Sequence, residues 1–133
     1  MLANVPVFAT LPSVDLAAAR EFYTQTLGLT EQQIFEVEGP GPIAALFQGG
    51  AGTSLLVYQR PTPTRADHTA ASWIVNDLDV VADALITEGV RLLVYPEMEG
   101  VEWDERGVAT SAGNRSIWFN DPDGNILSVA EMP

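Results

Sequence analysis

Apolar positions come in short runs along this chain, and turn residues punctuate them at regular places. Val5 to Leu11 is short and apolar, which predicts a buried strand. Asp15 can then cap a helix in which Leu16, Ala19, Tyr23 and Leu27 recur at helical spacing, and Gly28 can close it. Gln33 to Val37, Pro42 to Gln48 and Ser54 to Gln59 are β-rich runs, the first two parted by the breaker cluster Gly39-Pro40-Gly41-Pro42. Arg60-Pro61-Thr62-Pro63-Thr64-Arg65 has no periodic pattern and reads as a connector. The order then restarts. Ala70 to Val75 predicts a strand, and Asp77 caps a helix with Leu78, Val81 and Leu85 on one face, which Gly89 ends. Leu92 to Tyr95, Ser116 to Phe119 and Ile126 to Ala130 predict three more strands.

The restart is a repeat. The capping residues Asp15 and Asp77 stand 62 apart and the closing glycines Gly28 and Gly89 stand 61 apart, while Gly124, Leu127 and Val129 follow Gly52, Leu55 and Val57 by 72. The last of these sets flanks Asn120-Asp121-Pro122-Asp123-Gly124-Asn125, a polar turn between apolar runs that predicts a β-hairpin. The expected architecture is α+β: two βαβββ modules, about 1–60 and 68–133, joined by a linker at about 60–67 within one domain spanning 1–133. Pro96 to Thr110 has no counterpart in the first half. It predicts a long loop with a short strand near Val108, in which Glu97, Glu99, Glu102, Asp104 and Glu105 surround Trp103. Such a segment is either a lid or binding loop or a solvated excursion.

Composition narrows the chemistry. At 133 residues and 47% hydrophobic the chain can bury one domain-sized core, whereas half of it alone would be marginal. Eighteen acids against 6 bases give a net charge of −12, so nucleic acid and anionic membranes are disfavoured partners. The same acidity serves solubility or draws a cationic ligand. With no cysteine there is no disulfide, thiolate nucleophile, iron–sulfur cluster or structural zinc site, and with no lysine there is no side-chain Schiff base. The N-terminal stretch lacks a basic leader pattern and no apolar run reaches ~18 residues, so a cytoplasmic protein without membrane association is expected.

Val14-Asp15-Leu16 with Glu21-Phe22-Tyr23 and Leu27-Gly28-Leu29, Asn76-Asp77-Leu78-Asp79 with Glu88-Gly89-Val90, and Asp121-Pro122-Asp123-Gly124-Asn125 together resemble the vicinal oxygen chelate superfamily, the group of glyoxalase I, the bleomycin resistance proteins and the extradiol dioxygenases. The resemblance covers essentially the whole chain. It implies paired βαβββ modules whose mixed sheets curl around a cavity, and homodimerisation; it does not imply one activity. In metal-dependent members, His, Gln or Glu on the first and last strands of each module hold a divalent ion. Carried over by spacing, those positions are Phe8, Leu56, Ala70 and Ser128, none of which offers an imidazole or carboxylate. No metal and no other cofactor are therefore expected.

Strand alternation puts Phe8, Thr10, Ser54, Leu56, Tyr58, Ala70, Ser72, Ile74, Ser128 and Ala130 on the cavity faces, and Ala9, Leu11, Leu55, Val57, Ala71, Trp73, Val75, Leu127 and Val129 toward the helices. Apolar walls with a few hydroxyls suit a small-molecule ligand. His68 has three readings: an exposed histidine at a strand entrance, a polar cavity-mouth residue or general base, and a displaced metal ligand. Tyr58 and Trp118 serve either packing or a ligand, Trp103 can stack on a planar one, and Arg106 and Arg115 either pair with the acids of their loop or grip a ligand carboxylate. The expected function is metal-independent binding of a small molecule, sequestering a basic or aromatic compound in the manner of the bleomycin resistance proteins the chain resembles. The alternatives are an isomerase, lyase or dioxygenase of the same superfamily acting on a small metabolite, and a non-catalytic interaction module.

Overall fold

The computed structural model describes residues 1–39 and 41–133; Pro40, in the expected breaker cluster, lies outside the described residues. The chain divides into two compact units, Met1–Arg65 with Pro122–Asn125, and Ala66–Asp121 with Ile126–Pro133. The division after Arg65 falls at the end of the proline-bearing connector.

The first unit runs β1 (Ala9–Ser13), α1 (Leu16–Glu21) continued by a π-helical turn (Phe22–Thr26), β2 (Thr30–Glu36), β3 (Pro42–Gln48) and β4 (Ser54–Gln59). Its sheet has the order β1-β4-β3-β2, with β1 parallel to β4 and the other pairs antiparallel. β1 begins at Ala9 rather than Val5 because its partner starts at Ser54 and the ladder opens at Ala9↔Leu55; Val5, Val7 and Phe8 stay exposed. β2 begins at Thr30, ahead of the expected Gln33, since a half-exposed edge strand carries polar residues that mask its pattern.

The Asp15 carboxylate caps α1 by accepting from the Ala18 N–H at 3.1 Å. The helix is not continuous to Gly28 as expected. The Thr24 hydroxyl donates to the Arg20 carbonyl at 2.7 Å, competing for an acceptor of the regular ladder, and the Leu27 N–H reaches back five residues to Phe22. Gly28 then reverses the chain at φ 74°. Leu16, Ala19 and Tyr23 from this segment pack with Leu11, Ala45, Phe47, Leu55 and Val57 from the sheet to form the core of the unit. The turn Pro122–Asn125 is tied to the end of β1: buried Asn125 donates to the Pro12 carbonyl at 3.0 Å, and Asp123 accepts from the Val14 N–H at 2.9 Å.

The second unit runs β5 (Thr69–Val75), α2 (Leu78–Thr87), β6 (Glu102–Trp103), β7 (Ala109–Ser111), β8 (Asn114–Asn120) and β9 (Ile126–Glu131), with sheet order β5-β9-β8-β7-β6. The expected hairpin is β8–β9, closed by the pair Asn120↔Ile126. Leu92 to Tyr95 is not a strand. Leu93 donates one backbone bond to Trp118 at 2.7 Å, and Leu92 is buried beneath the turn at Gly107, where an added Cβ would come within 3.1 Å of the Leu92 Cβ. The apolar run packs instead of pairing. The short strand expected near Val108 is β7, while the acid-rich stretch ahead of it, read as a loop, contributes β6, so this sheet has five strands.

The repeat reaches down to register. Leu11↔Val57 in the first sheet corresponds to Trp73↔Val129 in the second, the same 62- and 72-residue offsets. It extends to side chains: Gln59, ending β4, accepts from the Leu16 N–H at 3.2 Å, and Glu131, ending β9, accepts from the Leu78 N–H at 2.7 Å. Each unit thus fastens the first turn of its helix to its last strand. Among the described residues no helix is long and apolar enough to cross a membrane.

Candidate ligand-binding site

In the second unit, alternation along β8 buries Ile117 and Phe119 and leaves Trp118 half-buried on the other face. The ladder sets Ser72, Ser128 and Trp118 side by side across β5, β9 and β8, and the two serine hydroxyls meet at 2.6 Å. A register irregularity between Thr69 and Ala71 brings the Thr69 hydroxyl to 3.2 Å from the Trp118 indole N–H, which donates to it. Trp118 is also one corner of an aromatic group. Its ring centroid lies 6.0 Å from Trp103 and 5.8 Å from Tyr95, and Tyr95 lies 6.4 Å from Trp103. These are tilted and edge-on contacts, the geometry aromatic quadrupoles favour. The Trp103 indole nitrogen is buried with no hydrogen-bond partner. The Tyr95 hydroxyl is pushed above its usual range, first by burial and then by Glu97, so it remains a neutral donor.

Trp103 is presented by a turn that Asp104 organises. One oxygen of Asp104 accepts from the backbone N–H groups of Arg106, Gly107 and Val108 at 2.9, 3.0 and 2.9 Å, and the other accepts from the Arg106 guanidinium at 2.9 Å. Burial would raise the Asp104 carboxyl, but the Val108 N–H and Arg106 outweigh it and hold the group below the usual carboxylate range. Arg106 also reaches Asp79 at 2.6 Å and Asp83 at 3.0 Å on α2. Arg115 donates to the same Asp79 at 2.8 Å and lies 3.8 Å from Glu131. Asp79, between two guanidiniums with Arg115 contributing most, is held far below the ordinary range. Both arginines are thus engaged by carboxylates of their own unit.

In the first unit, Thr10 pairs with Leu56, and Pro12 with Tyr58, on the face away from the core, while Ser54 opens the same strand. Phe8 lies ahead of β1 and is 46% exposed. His68 is exposed at the entrance of β5, its Nδ1 3.1 Å from the Thr69 carbonyl. The structure therefore brings Ser72, Ser128, Trp118 and Trp103 together in one unit and Thr10, Leu56 and Tyr58 in the other, with Ala70 at the irregularity of β5. Sequence reasoning missed Thr69 and Tyr95 as neighbours of Trp118, and Asp79 and Asp83 as partners of Arg106. The acids were findable: spaced four apart on a helix, they share one face.

A divalent ion of the kind implied by the resemblance does not fit these residues. Phe8, Leu56 and Ala70 carry no donor and Ser128 offers a hydroxyl already bonded to Ser72; the true ladder partners of Leu56 and Ser128, Thr10 and Ser72, add only hydroxyls. Among the described residues no three His, Asp or Glu side chains are grouped to hold a metal.

The family model described as Glyoxalase/Bleomycin resistance protein/Dioxygenase superfamily matches residues 6–129, and the chain belongs to that superfamily. Its fold is similar to that of TnmS3, an antibiotic binding protein from a Streptomyces species, at TM-score 0.74 and 21% identity over 100% of this chain and 99% of the other. A superfamily member from Sphaerobacter thermophilus is similar at TM-score 0.69 and 23% identity, over 98% and 99% of the two chains. A glyoxalase family protein from Enterococcus faecalis is similar at 0.71 and 18%, over 98% and 100%. No curated protein matches the sequence. At these identities the structural likeness is one of fold, which in this superfamily carries more than one chemistry.

Proposed function

We propose that this protein binds a small organic molecule without a bound metal and without transforming it, sequestering a basic or aromatic compound in the cytoplasm. The observation that carries the reading is the aromatic group Tyr95, Trp103 and Trp118 beside the Ser72–Ser128 hydroxyl pair, on a sheet face with no metal-binding donor set. Aromatic walls supply area for a planar ligand and the hydroxyls orient it. The net charge of −12 favours a cationic compound by long-range attraction. The antibiotic binding assigned to TnmS3 supports the same class of function.

The test is a thermal-shift screen of chelator-treated protein against planar aromatic cations, small carboxylic acids and divalent metals. A planar cation at 100 times its dissociation constant is expected to stabilise the fold by about 2.7 kcal/mol, with loss of that shift in Trp118→Ala. Stabilisation mainly by a divalent ion, or turnover of a metabolite that disappears in His68→Ala with binding retained, would move the reading to a superfamily enzyme. The homodimer is part of the proposal. Light scattering at micromolar concentration is expected to give twice the chain mass, and a monomer mass would remove that part.

A further inference from the structure

The connector Arg60–Arg65 has no periodic pattern, yet in the first unit it walls a cavity of about 240 Å³ lined by Pro12, Tyr58, Arg60, Thr62, Pro63 and Thr64. Its floor is well fixed. The Arg60 backbone N–H donates to the Ser13 carbonyl at 2.7 Å, and the Gln59 amide donates to the carbonyls of Val14 at 2.8 Å and Arg60 at 3.3 Å. Pro61 and Pro63 restrict the backbone that follows. From this anchored base the Arg60 guanidinium lies 5.9 Å from the centre of the Tyr58 ring.

Charge distinguishes this arginine from three others. Arg20 is paired with Glu31, and Arg106 and Arg115 are held by acids, whereas Arg60 makes no ion pair among the described residues. An acidic protein has thus left a guanidinium unneutralised at a cavity whose other polar side chains, Tyr58, Thr62 and Thr64, end in hydroxyls. Donors with no carboxylate among them suit an anion and disfavour a cation. A guanidinium near an aromatic ring still has its planar fork available for two parallel bonds to an oxyanion.

We propose that Tyr58, Arg60, Thr62 and Thr64 form a subsite for a small oxyanion, a carboxylate or phosphate group, distinct from the aromatic group of the second unit. Arg60 supplies the charge and the Tyr58 and Thr62 hydroxyls complete the cradle, with Thr64 in its wall. At about 240 Å³ the cavity takes a small acid or an acidic substituent rather than a whole drug-sized molecule.

The experiment is a heteronuclear NMR titration of the intact protein with sodium benzoate and, separately, inorganic phosphate, each against sodium chloride at matched ionic strength. Saturable shifts centred on residues 12 and 58–64 are expected with one or both anions and not with chloride. Arg60→Gln, which removes the charge and the guanidinium fork but keeps a polar amide, is expected to weaken binding about tenfold or more, the loss of a charge-assisted bidentate contact. Response to benzoate alone assigns the subsite to carboxylates, and to phosphate alone to phosphates. Shifts that follow chloride equally, shifts that stay linear up to the highest anion concentration used, or unchanged affinity in Arg60→Gln would each overturn it. The aromatic-cation screen is independent, so either site can fail alone.

Discussion

Phe47→Ala is expected to destabilise the fold by about 3–5 kcal/mol, the largest effect of any single change argued from this structure. Phe47 is fully buried on β3, with the equally buried Tyr23 ring 5.5 Å away between centroids. Its ladder partners are Leu55 on β4 and Glu31 on β2, so it sits where the middle of the first sheet meets the helical segment. Removing the ring forfeits its transfer energy and leaves a cavity that Ala19, Ala45 and Val57, all fully buried, are too short or too confined to fill. Against a total stability of roughly 5–15 kcal/mol, most of the margin would go. Phe35 on β2 supplies the control. It is 37% exposed, and Phe35→Ala is expected to cost about 1 kcal/mol or less. Urea denaturation of both variants checks the contrast; equal losses would mean that the core does not lie between the helix and β3.

The difference between these two phenylalanines shows where reading the sequence stops. Both lie in β-rich runs, and alternation alone does not rank a central strand above an edge strand. What was legible is local or repeated. The caps Asp15 and Asp77, the closing glycines and the turn at Asp121–Asn125 are conformations set by residues within a few positions of one another, and the 62- and 72-residue offsets recur in the ladder as Leu11↔Val57 and Trp73↔Val129. Alternation also found Ser72 and Ser128 on one face, which the ladder confirms as direct neighbours. What was not legible depends on a partner distant in the chain. Leu92 to Tyr95 has a strand's composition but spends it on packing under Gly107, while Glu102–Trp103 has a poor strand composition and pairs because Asp104 folds the turn beyond it. Thr69 reaches Trp118 through a register irregularity that no periodicity announces. The proline connector hid Arg60 for the opposite reason: a segment without pattern gives sequence reasoning nothing to place, although its backbone is anchored at Ser13.

Asp104→Ala is expected to lower stability by about 2 kcal/mol, the scale of a charged acceptor shared by several buried donors, and to loosen the turn that presents Trp103. Three backbone N–H groups and the Arg106 guanidinium converge on this carboxylate, and a methyl group accepts from none of them. Asp104→Asn keeps an acceptor oxygen but loses the charge facing Arg106, so a smaller loss is expected. Acid should mimic the substitutions. The folded carboxyl sits below its ordinary value, so its contribution is fully present above the unfolded value of about 3.9 and is lost as pH falls through the lower folded value. Asp79, held between Arg115 and Arg106, has the same sign, and protonating it removes one of the two α2 carboxylates that hold Arg106, Asp83 being the other. Trp103 reports the event because its ring lies against Trp118 and Tyr95 at one end of the hairpin that Asp104 closes. Tryptophan emission should therefore be flat from neutral pH down to the ordinary carboxylate value of about 3.9 and shift red only below it. In Asp104→Ala the red shift should already be present at neutral pH. Emission of Asp104→Ala identical to the parent at neutral pH, together with an unchanged melting temperature, would show that Trp103 is held by aromatic packing alone and that the acid-organised turn is dispensable.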